Sequence, residues 1–503
     1  MQALKSILKE KGQTRIFFIL GLFLIFFISL QAPTDPDFGW HLKIGQDILA
    51  NHTISHFDPY SFTMSDFPWI SYSWLSDIFV ALFQKLFGFF GLSIIFSLIT
   101  AAAFFLVARA YQTELSYQII AALLGSILSV SVVGIRDQIW SVLGLAILIF
   151  IILRWRNNPH SKIIWWLPLL FVIWTNIHPG FVAGLVLFVI FIIFESFKYK
   201  RLSPELVEGI TAQRQNFTLR QAQGIKFWLL AIFFLSLAAT LLNPYGLRIY
   251  EEVWRTLSDF AGRSQIIEWR PLFSAGMDVF LPTVFFALFL FGAQFFAKKH
   301  DFTLIALSAI FFVFALLAWR NLPLFFIASS PLAVLTIENF TGKNLLDLIK
   351  TPTILLIIFA LAFYAGWHNI KQVWVQDTNP QTLAKEANFP YGAVKFLASN
   401  HLPLATDHLF NEYNWGGYIL WQMPNQKVFI DGRMVHWKLP SKHIFDDYQI
   451  LQAAKNLNQT NSLIEKYNLN LALIRPDSPL AFYLSAIGWQ KIYRDDLTII
   501  LKK

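Results

Sequence analysis

Within seven residues, Asp35-Pro36-Asp37-Phe38-Gly39-Trp40-His41, the chain places two carboxylates, an indole and an imidazole just after its first apolar run. Such groups are costly at a membrane boundary, and they can do chemistry there. A carboxylate can take the proton of a hydroxyl or hold a metal, and cationic groups can hold a phosphate. Asp35 and Asp37 lie two residues apart with Pro36 stiffening the link, so an extended backbone would point both carboxylates the same way. A short helix expected to start near Trp40 would set Asp37 at a positive helix end, where the dipole keeps a carboxylate ionised. Capping that helix is the plainer role, but one Asp suffices for it. Trp40, like Trp74, also suits the aromatic belt of a membrane interface.

More polar groups occupy short turns between apolar runs. The first loop, 32–89, continues through Asp58-Pro-Tyr-Ser-Phe-Thr and Pro68-Trp-Ile-Ser-Tyr-Ser-Trp74-Leu75. Arg136-Asp137-Gln138, Asn176-Ile177-His178-Pro179-Gly180, Glu268-Trp269-Arg270-Pro271 and Arg320-Asn321-Leu322-Pro323 form further corners. Asn243-Pro244-Tyr245-Gly246 reads first as a helix stop, because Pro lacks a donor and Gly permits a positive φ. His178 beside Pro179 also suits a turn cap. Arg136 and Arg320 can bind a phosphate or snorkel to lipid head groups.

The elements that carry these turns are set by composition. The chain is 56% hydrophobic and 14% charged, against about a quarter charged in a soluble protein. Its apolar runs are continuous and approach the ~20 residues that cross a bilayer, which selects helices and excludes a barrel of alternating strands. The fold class is a polytopic α-helical membrane protein with roughly eleven spans, near 16–31, 90–108, 118–135, 138–153, 163–177, 180–197, 227–243, 279–297, 303–319, 322–338 and 351–367. Trp74–Phe87 carries a stripe of Leu75, Phe79, Leu82, Phe83 and Leu86 broken by Asp77 and Lys85, so it is expected to lie in the interface rather than cross.

Basic residues set the orientation. Lys5, Lys9, Lys11 and Arg15, then Arg154, Arg156 and Lys162, the run Lys198 to Lys226, Lys298 with Lys299, and Lys343 with Lys350 all fall on one side, the cytoplasm. The C-terminus is then outside, with the polar turns. The net charge of +9 lies largely in loops beside spans, where it meets anionic lipid, so nucleic acid is not the partner. Cysteine is absent, which excludes disulfides, thiolate metal sites and Cys nucleophiles. No signal-peptide cleavage pattern is visible, so the first run is expected to be retained. The polar segment 202–224 reads as a tolerated cytoplasmic insertion. The domains expected are 1–373 in the membrane and 374–503 as a soluble α/β domain, with short helices at 393–398 and 462–467 and strands at 428–430, 471–474 and 497–501.

A carrier would place ionisable groups inside its spans. Here the spans are almost purely apolar and the polar groups collect at one face, which favours an interfacial reaction on a phosphate-bearing lipid. A non-catalytic lipid-binding scaffold with an outer recognition domain, and a lipid or sugar transporter, are the competing readings.

At these residues the chain resembles the GT-C superfamily of integral-membrane glycosyltransferases, on its bacterial mannosyltransferase-like and oligosaccharyltransferase-like branch. The resemblance rests on Asp35-Pro-Asp37-Phe-Gly-Trp40-His41-Leu with Gly45, Asp58-Pro-Tyr-Ser-Phe-Thr, Trp74-Leu75, Arg136-Asp-Gln138, Asn176-Ile-His178, Asn243-Pro-Tyr-Gly246 and Arg320-Asn-Leu-Pro323. It extends to Tyr413-Asn-Trp415-Gly-Gly-Tyr418 and Phe429-Ile-Asp431-Gly-Arg433. It implies a polyprenyl-phosphate sugar as donor, transfer to a glycan, lipid or protein hydroxyl, and a place in the bacterial inner membrane. It puts the essential acid on Asp37, with Asp35 second. Arg136, Arg320, His178 and His41 would hold the donor phosphate, and the resemblance leaves a divalent metal open as a cofactor. Two positions depart from it: Ser73 stands where an acid is expected before Trp74-Leu75, and Asp137 where Pro is expected.

Overall fold

The computed structural model describes residues 2–200, 219–297, 300–340, 347–400, 408–440 and 442–503. The expected insertion lies outside them as far as residue 218, as do Arg201, Arg214, Lys298, Lys299 and Lys343. The chain divides into two compact units. One comprises 1–31, 94–247 and 266–371, and the other 32–93, 248–265 and 372–503.

The first unit is helical, because a lipid-facing backbone can satisfy its polar groups only within its own helix. Among the described residues, six helices are long and apolar enough to cross a membrane: Gly12–Ser29 (the apolar part of α1, Gln2–Ser29), α3 (Trp74–Ala108, which runs out of the second unit), α5 (Gln138–Asn157), Met277–Phe296, Trp319–Phe340 and Pro352–Thr378. The other expected segments are shorter apolar helices, Leu115–Ser129, Lys162–Ile177, Phe181–Phe197, Phe227–Ala239 and Phe302–Leu317. Helix α5 shows how the sequence ends one: Arg154 and Arg156 occupy its last turn, cations at the negative end of the dipole. Glycines admit bulk between helices. Gly144 and Gly184 both lie against the Trp174 indole, which a β-carbon at either would strike. Two of the expected loop cations are instead buried in ion pairs. Arg156 pairs with Asp301 and, at 3.4 Å, with Glu195, and Lys350 meets Glu114 at 2.7 Å. Helix ends packed against one another bring these opposite charges together.

The second unit joins the first loop to the C-terminal segment. Strands β1 (Leu409–Asn411), β4 (Leu471–Ile474), β5 (Gln490–Arg494) and β6 (Ile499–Lys502) form one sheet in the order β1-β4-β6-β5, with β2 (Lys438–Leu439) and β3 (Lys442–His443) a separate pair. Strand β1 runs parallel to β4, and β6 pairs antiparallel with both β4 and β5. The strand expected at 428–430 is a single bridge, Ser61 to Val428, stitched by Phe62 N–H to the Val428 carbonyl at 3.2 Å. Trp40, Ile44, Tyr60, Phe67 and Trp69 of the first loop share one core with Phe410, Trp415, Phe429, Trp437 and Ile500. The segment expected as a separate soluble domain therefore buries its apolar side chains against the first loop.

Helix α3 breaks at Gly88, whose φ of 68° only glycine adopts freely. The Phe89 N–H released there donates to Asp377 at 3.1 Å. In the turns before the break, Leu82, Leu86 and Phe87 are exposed, while Ser76 and Asp77 are fully buried alongside Val80 and Ala81.

Candidate functional site

The first acidic motif is a turn, not the extended segment its Pro suggested. Asp37 is αR (φ −82°, ψ −18°), the Phe38 N–H donates to the Asp35 carbonyl at 3.1 Å, and helix α2 (Phe38–Asn51) follows. Asp37 stands at the N-cap position, yet its side chain makes no cap hydrogen bond. The Asp37 side chain thus does not take the capping role expected as the plainer one. Its Oδ1 instead accepts from the Trp40 indole N–H at 3.0 Å, while the Asp37 backbone N–H donates to Asp35 Oδ1 at 2.8 Å. Asp37 Oδ2 accepts no hydrogen bond among the described residues. Trp40 is buried by this contact and is not an interfacial belt residue.

Burial first, and the neighbouring Asp35 charge second, push the Asp37 carboxyl up to about 6, against the opposing pull of Trp40 and His41. The helix dipole expected to favour the ionised form is opposed here by burial. Desolvation of a carboxylate outweighs the partial charge of a helix end. At neutral pH the group is still mostly ionised, in the range a general base uses.

Four glycines explain why the Asn-Trp-Gly-Gly and Asp-Gly-Arg motifs accompany this turn. A β-carbon on Gly39 would strike the backbone of Gly417, and one on Gly417 would meet the Pro36 carbonyl and the Trp40 ring. Gly416 abuts the Ile430 carbonyl and Asp431, and Gly432 abuts Asp37 Oδ1 itself. Three sequence-distant motifs close on one another through backbone, with no room for side chains.

The Asp431–Arg433 turn is locked. Arg433 grips Asp431 with Nε at 2.9 Å and Nη2 at 2.6 Å, and its Nη1 lies 3.1 Å from Asp58. The guanidinium sits 4.9 to 5.2 Å from the ring centroids of Tyr60, Trp69 and Trp437. Burial raises the Asp58 carboxyl despite Arg433, and the two carboxylates hold the guanidinium above its usual range.

His41 is placed by a different acid. Its Nδ1 lies 2.6 Å from Asp77 Oδ1, and both residues are buried. Gly45 makes room for the Asp77 backbone. Ser73, where the resemblance expects an acid, points its hydroxyl at Asp77 at 3.3 Å. Asp77 stands one helical turn beyond Ser73, on the same helix face. The signal for it in the sequence was a lone Asp breaking an apolar stripe.

The remaining candidates belong to the first unit, and the structure draws Arg136 and Arg320 together there. Arg136 forms an ion pair with Glu268, the Arg320 guanidinium lies 4.5 Å from the Trp269 ring centroid, and the Gln138 amide donates to the Arg320 carbonyl. Glu268 and Trp269 are thus the partners that spacing alone did not pair with these arginines. His178 follows the helix Leu167–Ile177 and has a fixed tautomer. Its Nδ1 accepts from the Gly180 N–H at 3.0 Å and from the Ser141 hydroxyl at 2.7 Å, the latter itself accepting from Trp174. The proton then resides on Nε2, which makes His178 a neutral donor. Asn243-Pro-Tyr-Gly is the helix stop expected: Asn243 Oδ1 accepts from the Tyr245 N–H at 2.8 Å, and Gly246 has φ 55°.

No family model matches this chain, and no curated protein does. Solved structures do. The oligosaccharyltransferase of Archaeoglobus fulgidus tethered with an acceptor peptide containing the NVT sequon superposes with a TM-score of 0.56 and 13% identity, over 93% of this chain and 70% of that one. The same organism's AglB, in complex with an inhibitory peptide and a dolichol-phosphate, gives 0.53 at 13% identity, over 92% and 69%. Its apo form gives 0.52 at 12%, again over 92% and 69%. At this identity the likeness is one of fold. The chain shares the fold of these oligosaccharyltransferases, as the resemblance at its polar motifs implied.

Proposed function

We propose that this chain is a membrane glycosyltransferase that moves a sugar from a polyprenyl-phosphate-type donor to an acceptor hydroxyl on a glycan, lipid or protein. The observation that carries this reading is Asp37: a carboxylate fixed through one oxygen by Trp40, with the other uncommitted among the described residues, and held at about 6. That is the arrangement of a general base. The structural neighbours, solved with an acceptor peptide and with dolichol-phosphate, support a lipid-phosphate donor and a separate acceptor.

In the reaction, Asp37 Oδ2 takes the acceptor proton as the acceptor oxygen bonds to the anomeric carbon. The bond from that carbon to the phosphate oxygen breaks on the opposite face, and the lipid phosphate leaves with the electron pair. Configuration inverts. Arg136, Arg320 and the His178 Nε2–H are the donors suited to phosphate oxygens, and His41, oriented by Asp77, is a further one. The roughly eleven spans, a cytoplasmic N-terminus and an outer C-terminal segment of a bacterial plasma membrane complete the proposal.

The test is product analysis by mass spectrometry with a panel of polyprenyl-phosphate sugars. A glycosylated acceptor made by the wild type and absent with Asp37→Asn supports the reading. Movement of donor across the membrane without a covalent product replaces it with a transporter.

A further inference from the structure

The geometry points to Gly432 and Trp40 as positioning residues that fix the Asp37 carboxylate from two sides. This inference rests on the glycosyltransferase reading and assigns the C-terminal segment a part in the chemical step.

Gly432 is not among the described glycines with a positive φ, so its backbone does not require glycine. What requires it is contact. A β-carbon there would overlap Asp37 Oδ1 and lie 3.3 Å from Trp40 Nε1. The overlap cannot be relieved by moving Gly432, because both flanking residues are held. Asp431 receives the Arg433 fork and the Arg433 N–H at 3.0 Å, and Arg433 is boxed by Asp58 and three aromatic rings. Gly416 presses on Asp431 from the other side. The Asp-Gly-Arg motif thus reads as a clamp of two charged residues around one contact residue. Trp40 supplies the second constraint, its indole N–H bonded to the same Oδ1 that Gly432 covers.

The consequence is a choice between the two oxygens. With Oδ1 bonded and covered, Oδ2 alone is left to take a proton. A methyl group at 432 would turn the carboxylate about its Cβ–Cγ bond, break the Trp40 bond and misdirect Oδ2. Misplacing a reacting group by about 1 Å costs on the order of 100-fold in rate, while donor contacts elsewhere are untouched.

The experiment compares the full-length wild type, Asp37→Asn, Gly432→Ala and Trp40→Phe in detergent, using the polyprenyl-phosphate sugar that the wild type turns over. Expected for Gly432→Ala and Trp40→Phe, assayed with equal amounts of folded protein, is a kcat lowered roughly 10- to 100-fold with donor KM within about twofold of wild type. A purely structural role would lower melting without this kcat-specific split. If Gly432→Ala does not fold, Trp40→Phe decides: phenylalanine removes the donor together with part of a buried ring, so the kcat-against-KM split, not melting, is its readout. Wild-type kcat in the folded variants, or a raised KM with kcat unchanged, while Asp37→Asn is inactive, overturns the positioning and leaves the enzyme reading standing. No transfer by the wild type with any donor, or full transfer by Asp37→Asn, overturns both.

Discussion

Arg433 Nη1 lies 3.1 Å from Asp58 Oδ1, an ion pair that ties the first loop to the last quarter of the chain with both side chains out of water. Removing one partner from a buried pair leaves the other uncompensated, at a cost of roughly 3–5 kcal/mol. Arg433→Met should therefore destabilise the protein severely, read as a lowered melting temperature and protease sensitivity in detergent. Arg433→Lys should not restore it, because an ammonium cannot make the two-pronged contact to Asp431 while reaching Asp58. Adding Asp58→Asn and Asp431→Asn to Arg433→Met should recover part of the loss. A stable, wild-type-like Arg433→Met would mean that the aromatic packing alone holds this turn.

Asp37→Asn should abolish transfer, and Asp35→Asn should only reduce it, since Asp35 bonds the Asp37 backbone rather than facing a reacting group. Initial rates with equal amounts of folded protein distinguish the two. Full activity in both variants ends the general-base assignment.

The raised Asp37 carboxyl gives two pH dependences. The base must be ionised, so the transfer rate should fall about tenfold per unit below pH ~6 and level off above it. For stability the sign is opposite to that of a salt-bridged acid. The folded state binds this proton more tightly than the unfolded chain, so stability present at low pH is lost as pH rises from the ordinary carboxyl range through about 6. Asn cannot ionise, so Asp37→Asn should melt above wild type at pH 7.5 and converge with it toward pH ~4. A melting difference that widens on acidification would contradict the assignment.

Arg136 is paired with Glu268, so the two substitutions should act in opposite directions. Arg136→Gln should weaken donor binding about tenfold, the loss of one charge-assisted contact of roughly 1.5–3 kcal/mol. Glu268→Gln removes the competitor for the guanidinium and should leave donor affinity equal or higher. Equilibrium binding of a non-transferable donor analogue measures both. Weakening by Glu268→Gln to the same extent as Arg136→Gln would show that the pair is structural.

The chain has no native cysteine, so sidedness can be read by labelling. Ser462→Cys in the helix Leu457–Lys466 and His160→Cys before Lys162 are both at exposed positions. An impermeant thiol reagent on intact cells should modify the first and not the second. The reverse pattern would invert the orientation drawn from the basic clusters.

Composition alone determined the membrane class and where the apolar helices fall. In hydrocarbon a backbone must satisfy itself locally, so a local run of side chains decides the element. Local signals also determined the stop at Asn243-Pro-Tyr-Gly and the strands expected at 471–474 and 497–501, the latter found at Ile499–Lys502. Strands 409–411 and 490–494 escaped notice, because short buried and half-exposed strands carry no period that separates them from loops. The polar motifs were legible as candidates, but their partners were not. That Asp77 meets His41, Glu268 meets Arg136, and Gly432 covers Asp37 depends on which distant turns the packing brings together. The direction of the Asp37 shift was decided in the same way. Sequence showed a helix start and hence a dipole, while only the tertiary structure supplied the burial that outweighs it, since desolvation depends on what other parts of the chain cover the carboxylate.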